Sequence, residues 1–232
     1  RGDRELPTLM PRGGSRGTAR GIPSATVGRL ITYLRVLNGL EARGVERVSS
    51  DLLAEEAQVS AFQVRKDLAY FGTFGTRGTG YTVSSLRTEL RRILGLTRTW
   101  KVAIVGMGRL GQALADYPGL SEYDFELVAA FDVDERKVGV RYGAVVVQHM
   151  RELGEAVSAL GLEIVLLTVP VEAAQAAADE VVRAGVRGIL NFAPTVVSVP
   201  PGVRVEAVDF LAALKRVSYF LHEAALPASE AS

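Results

Sequence analysis

Three glycines spaced G-x-G-x-x-G, Gly106, Gly108 and Gly111, carry the clearest chemistry in this sequence. The apolar run Lys101-Val102-Ala103-Ile104-Val105 leads into them and a helical pattern follows. That strand–turn–helix setting is the one in which such a loop holds a dinucleotide pyrophosphate. Gly106 allows the turn, Gly108 lets the backbone approach the phosphates, and Gly111 lets the helix pack closely on the strand. Met107, Arg109 and Leu110 complete the loop, whose helix start offers unpaired N–H groups and the positive end of a dipole to an anion. A second apolar run, Val128-Ala129-Ala130-Phe131, ends in Asp132, about 20–25 residues on, where an acid meets a ribose 2′-hydroxyl. A glycine turn with no ligand is the bland alternative, and the flanking strand and helix argue against it.

A different chemistry is concentrated between residues 60 and 83. Ser60 is placed to cap a helix running from Ala61 to about Tyr70. Ala61, Val64, Leu68 and Phe71 form its apolar stripe, while Gln63, Arg65, Lys66, Asp67 and Tyr70 lie off it. With a short helix over Leu52, Leu53, Ala54 and Ala57 just before it, capped from Ser49-Ser50-Asp51, this is a helix-turn-helix pattern. Gln63 has the amide for base edges, Arg65 and Lys66 can reach guanine acceptors or phosphates, and Tyr70 a phosphate. The stretch from Gly72 to Val83 reads as two short strands with a glycine-rich tip carrying Arg77, a wing suited to a minor groove. A solvated charged face is the competing reading of the helix alone.

These groups need scaffolds, and the chain has room for two. Its 232 residues include no cysteine, so neither disulfides nor thiolate chemistry is available, which suits a cytoplasmic location. No apolar run approaches the ~20 residues of a membrane span, and the charged start Arg1-Gly2-Asp3-Arg4 has no apolar stretch behind it. No ligand cluster for a metal is evident. Residues 1–100 hold 16 Lys and Arg against 9 Asp and Glu, a net +7, whereas residues 101–232 hold 11 against 17, a net −6. A polyanion partner is therefore expected for the first half only.

The expected fold class is α/β. Residues 1–21, rich in Gly and Arg, read as a disordered tail; 22–98 form a winged helix-turn-helix domain. A helix opens at Ile22-Pro23-Ser24 with Val27, Leu30, Ile31, Leu34, Leu37 and Leu40 on one stripe, Arg35 off it, and Gly44 at its end. Ser84-Ser85 is expected to cap another, from Leu86 to Leu94. Residues 99–208 alternate strand and helix as a Rossmann-like doubly wound parallel sheet does. Ligands sit outside the carboxyl ends of such strands, where Thr168-Val169-Pro170 and Asn191 join the glycine loop and Asp132. Residues 209–225 form an apolar helix after the sheet has ended. Packing within its own domain is the default for it, and a dimer contact is the rival.

In combination, Arg65-Lys66-Asp67-Leu68, Gly78-Thr79-Gly80-Tyr81, Val105 to Gly111 and the closing Val208-Asp209-Phe210-Leu211 resemble the Rex family of bacterial redox-sensing transcriptional repressors, over residues 22–222. The resemblance implies a homodimer that binds NAD(H) in the Rossmann-like domain and a palindromic operator in double-stranded DNA with its winged helices. NADH would release the DNA and NAD⁺ would permit repression. It matches Asp132 to the ribose acid, Tyr117 and Asp209 to a redox-dependent pair, and Phe210 to an aromatic reaching the partner's nicotinamide pocket. Arg35 matches an interdomain contact to that aspartate, Arg65, Lys66 and Arg77 match DNA-contacting positions, and the last helix matches a domain-swapped one.

An NAD-dependent dehydrogenase with an appended helical domain is the alternative. It needs a proton donor beside the nicotinamide, and the two histidines, His149 and His222, are not at the strand ends expected for one. A CoA-binding Rossmann domain is a third reading, weakened by Asp132. The sensor reading implies no catalytic residue.

Overall fold

Helix α1 (Ser24–Ala42) begins behind Pro23, which has no N–H to leave unpaired there. The computed structural model describes residues 22–72, 74 and 80–225, so the expected tail at 1–21 and the wing-tip Arg77 lie outside the described residues. α1 buries Leu30, Tyr33, Leu34, Leu37 and Leu40. Ile31, expected on that stripe, is half exposed, and Tyr33 takes the inward position instead. β1 (Arg47–Val48) follows, then α2 (Ser50–Glu56) and α3 (Ala61–Ala69). Both helices start on serines. Ser49 Oγ accepts from the Leu52 N–H at 3.0 Å and Ser60 Oγ from the Gln63 N–H at 3.1 Å.

Most of the expected pair of strands inside 72–83 lies outside the described residues. Among the described residues only β2 (Tyr81–Thr82) lies there, and it pairs antiparallel with β1, Val48 opposite Tyr81. Gly80 makes that approach possible: at φ +69° a Cβ on it would stand 2.5 Å from the Val48 carbonyl oxygen. α4 (Val83–Ile93) starts directly after β2, so Ser84 and Ser85 are in its first turn rather than ahead of it. Val83 is buried and donates its N–H to the Glu46 carbonyl at 2.9 Å, which fixes the start.

The chain divides into two units between Gly95 and Leu96. The second is built as β3 (Trp100–Val105), α5 (Arg109–Ala115), α6 (Gly119–Glu122), β4 (Phe125–Asp132), β5 (Arg141–Tyr142) and β6 (Val145–His149). A 3₁₀ turn (Met150–Glu152) leads into α7 (Leu153–Leu160), followed by β7 (Ile164–Leu167), α8 (Val171–Arg183), β8 (Gly188–Asn191), β9 (Arg204–Ala207) and α9 (Phe210–Ala225). The strands form one sheet in the order β5-β6-β4-β3-β7-β8-β9. All neighbours are parallel except β5, which turns back on β6. Neither β5 nor α6 shows in the sequence pattern, since two and four residues carry no period. Chain order reverses at β3, whose neighbours are β4 and β7, and ligands of such sheets bind at that switch point.

Apolar layers cover both faces of the sheet. Val105, Phe131, Val165 and Leu167 meet α7 and α8 on one side, and Ile104, Met107, Ala130 and Val147 form the other. The closing helix joins neither. Phe210, Leu214, Phe220 and Leu221 are each more than half exposed, and no described side chain of α9 is buried. Packing of this helix within its own domain, the default expectation, is thereby corrected. Among the described residues of its own unit, nothing covers its apolar stripe.

Candidate nucleotide cleft and nucleic-acid interface

A cleft of about 820 Å³ opens at the carboxyl ends of β3, β4, β6 and β7, within the size range of nucleotide sites. Gly106, Gly108, Arg109, Leu110, Asp132, Thr168, Val169 and Pro170 all line it, so the structure gathers these sequence-predicted residues in one place. The three glycines differ in what they do. Gly106 sits at φ +99°, and a Cβ there would come 2.8 Å from the Thr168 carbonyl oxygen. A Cβ on Gly111 would run into the Gly106 carbonyl, so this glycine packs the helix on the loop rather than on the strand. Gly108 is the opposite case, with nothing within 4 Å and an ordinary φ of −76°. Its missing side chain leaves open cleft, where a phosphate can lie against backbone. The geometry fits a pyrophosphate.

Thr168 holds the loop from across the switch point. Its hydroxyl lies 2.7 Å from the Gly106 carbonyl oxygen and 3.2 Å from that of Val105. Met107, a predicted cofactor residue, turns its side chain into the core and is not on the cleft wall. Its backbone is committed. The Met107 N–H donates to Asp132 Oδ2 at 2.7 Å, the Asp134 N–H to Asp132 Oδ1 at 2.9 Å, and Lys137 Nζ to Oδ2 at 2.8 Å. Burial alone would push the Asp132 carboxyl up, but the Lys137 ammonium and the two N–H groups outweigh it and hold it below the usual carboxylate range. Asp132 therefore latches the glycine loop to the end of β4 as well as facing the cleft. Sequence reading missed Lys137, because a lysine five residues past the acid carries no spacing rule that would single it out. It also misplaced His149, which is the last residue of β6 and lines the cleft.

The remaining predicted cofactor residues are not on the cleft wall. Asn191 is buried and shapes its own loop, donating from Nδ2 to the Thr195 carbonyl at 2.8 Å and accepting from the Ala193 N–H at 3.0 Å. Tyr117 is exposed after α5, its ring over Gly119, where a Cβ would strike it. Asp209 caps α9, accepting from the Ala212 N–H at 2.9 Å, and Phe210 begins that helix exposed. Arg35 is exposed on α1. Among the described residues no group of acids and histidines could hold a metal.

On α3 the residues sort differently from the sequence pattern. Asp67, expected off the apolar stripe, is fully buried and holds α1 against α3. Arg29 of α1 donates to it twice, from Nε at 2.6 Å and from a terminal nitrogen at 2.7 Å, and the Tyr33 hydroxyl at 2.9 Å. Gln63 adds its amide Nε2 at 2.8 Å. The group expected to read base edges is thus spent inward. Burial pushes the Asp67 carboxyl up, yet the bonds from Arg29, Tyr33 and Gln63 prevail and it lies below its ordinary value. A signal was present: Asp67 follows Val64 by three and precedes Leu68, both on the buried stripe.

Outward, Arg65 and Lys66 are exposed, as is Tyr70. Arg65 is steadied by the Ser50 hydroxyl at 2.9 Å. Lys66→Ala is expected to weaken binding to any duplex about equally and to lower the salt slope of binding by about one, read by titrations at several salt concentrations.

Comparison with known proteins agrees with both units. A family described as "CoA binding domain" matches residues 97–195, and one described as "Putative DNA-binding protein N-terminus" matches 21–69. A redox-sensing transcriptional repressor Rex of Thermus thermophilus is 61% identical over 85% of this chain and 93% of its own length. The same-named protein of Deinococcus radiodurans is 54% identical over 86% of this chain and 93% of its own. Among solved structures, a complex of RSP with β-NAD⁺ and operator DNA matches with a TM-score of 0.84 at 38% identity, covering 87% of this chain and 93% of that one. RSP with β-NADH matches with a TM-score of 0.79 at 37% identity, covering 87% and 95%.

Proposed function

Because the chain belongs to the Rex family of redox-sensing transcriptional repressors, we propose that it holds an operator in double-stranded DNA through α3 and its flanking strands and releases it when the cleft takes up NADH. The observation that carries this is Gly108: an open, strain-free glycine facing a cleft at the switch point of a doubly wound sheet. The solved RSP complexes, with β-NAD⁺ and operator DNA and with β-NADH, support the same pairing of ligands. The relatives are named repressors, so the chain is read as a regulator and not as an enzyme.

Each residue then has a task. Gly106 and Gly111 shape the loop, Gly108 and the α5 N-terminus receive the pyrophosphate, and Asp132 fixes the loop and faces the ribose. Thr168, Val169 and Pro170 form the opposite wall, and Leu110 adds apolar surface. The two coenzyme forms differ by a hydride and one positive charge on the ring. An apolar aromatic such as Phe210 favours the neutral form, because desolvating the cation costs more. Asp209 opposes that preference unless Arg35 pairs with it, and Tyr117 is the further member of this redox-dependent group. Gln63, Arg65, Lys66, Tyr70 and Arg77 form the DNA-facing set, Gln63 with its carbonyl oxygen only. A second copy of the chain covers the apolar stripe of α9, giving a homodimer suited to a palindromic operator in the cytoplasm.

Coupling requires only that NADH prefer one arrangement of the two-copy assembly, since equal affinity for both shifts nothing. Operator-bound protein titrated with NADH and separately with NAD⁺ is expected to dissociate at much lower NADH; identical curves overturn the proposal. Adding coenzyme A as a third titrant tests the reading favoured by the match at 97–195, and release by it alone would replace the redox assignment.

A further inference from the structure

We propose that Phe62 reads the 5-methyl group of a thymine in the operator's major groove, a base-specifying role that falls to it because Gln63 is turned inward. The proposal rests on the DNA-binding reading above. Phe62 is the second residue of α3 and 68% exposed, although it is the largest apolar side chain on that helix. It stands in one row with Lys66 and Tyr70, at spacings of four and eight, beside Arg65 and Ala69, and all five are exposed. The row is therefore a continuous outward face with one aromatic at the end that, in a recognition helix, meets base edges.

Its neighbours identify the partner. Two cations, Arg65 and Lys66, flank the ring at three and four residues, and no acid shares the row, because Asp67 is buried on the far side. That charge fits a phosphate-lined groove. Within such a groove the apolar contact a phenyl ring can make is the thymine methyl, which no other base pair offers. Gln63 would ordinarily supply discrimination, but its amide nitrogen is held by Asp67 at 2.8 Å. Besides the Gln63 carbonyl oxygen, the groups left to discriminate bases are Phe62 by shape and Arg65 or Lys66 by donation.

The test uses the full chain, without NADH, and a duplex it recovers itself from a randomised pool. Each thymine of that duplex is replaced in turn by deoxyuridine, which deletes only the methyl group. At one thymine per half-site the parent is expected to lose about fivefold in affinity, roughly the worth of one buried methyl group. Phe62→Ala should bind the thymine duplex about tenfold more weakly and no longer distinguish it from the uracil form at that position. Phe62→Leu should keep part of the preference, and since the side chain is exposed, both variants should melt like the parent. Indifference of the parent to every replacement overturns the proposal and leaves the repressor reading standing. So does a preference that survives in Phe62→Ala. Recovery of no duplex overturns both.

Discussion

Asp67→Asn is expected to lower the stability of the N-terminal unit by about 3 kcal/mol and to abolish operator binding with it. The carboxylate is fully buried and accepts from Arg29, Tyr33 and Gln63. The amide cannot accept all of these, and the Arg29 guanidinium is left facing a neutral group. Breaking one side of a buried ion pair costs about 3–5 kcal/mol, and the lower end applies because the Arg29 side chain retains 28% exposure. For a unit of this size the melting midpoint should fall by roughly 15 °C. The pH dependence gives an independent check. The folded-state value of Asp67 is lowered, so its contribution is fully present above the unfolded value of about 4 and is lost as pH falls below it. The parent unit should therefore lose stability as pH drops through that region, and the variant's profile should be flatter there. A variant that melts with the parent and shows the same acid profile would show that the network contributes nothing.

Gly108→Ala should produce the contrary phenotype: an intact protein that holds its operator and cannot be released by NADH. Alanine is strain-free at φ −76° and its methyl group meets nothing within 4 Å, so folding and DNA affinity should match the parent. The methyl group occupies space the pyrophosphate needs, and a loss of about 100-fold in NADH affinity is expected, equivalent to about 2.8 kcal/mol. Calorimetry with NADH and operator-release titration both read it. Gly106→Ala and Gly111→Ala cannot serve the same purpose, because their methyl groups collide with backbone and the loop itself must shift. Parent-like release by NADH in Gly108→Ala would remove the glycine loop from the site.

Much of the scaffold was legible because its signals are local. The glycine loop announces itself through a run of five residues before it and a helical pattern after it. The doubly wound parallel class follows once strands and helices alternate, since parallel crossovers leave few topologies, while the strand order itself comes from the structure. What was not legible depends on contacts between distant or too-short segments. β1 and β2 have two residues each and are strands only because they face one another. Asp132 looks in sequence like a free acid at a strand end, whereas in the fold the Met107 N–H, 25 residues back, and Lys137 already engage it. Asp67 looks like one more charge on a polar helix, and its burial depends on Arg29 and Tyr33 of another helix. The uncovered stripe of α9 is apolar in sequence just as a core helix is; nothing in its period tells which side will be met by its own chain.

The inward turn of Gln63 has a consequence for how such a regulator can diverge. Neighbouring positions on one helix answer to separate constraints: 67, with the amide nitrogen of 63, to the integrity of the interior, and 62, 66 and 70 to whatever lies outside. If the outer row reads the operator as proposed, promoter preference can drift by exchanges there without endangering the scaffold, and lineages retargeting new genes should vary there first while Asp67 stays still.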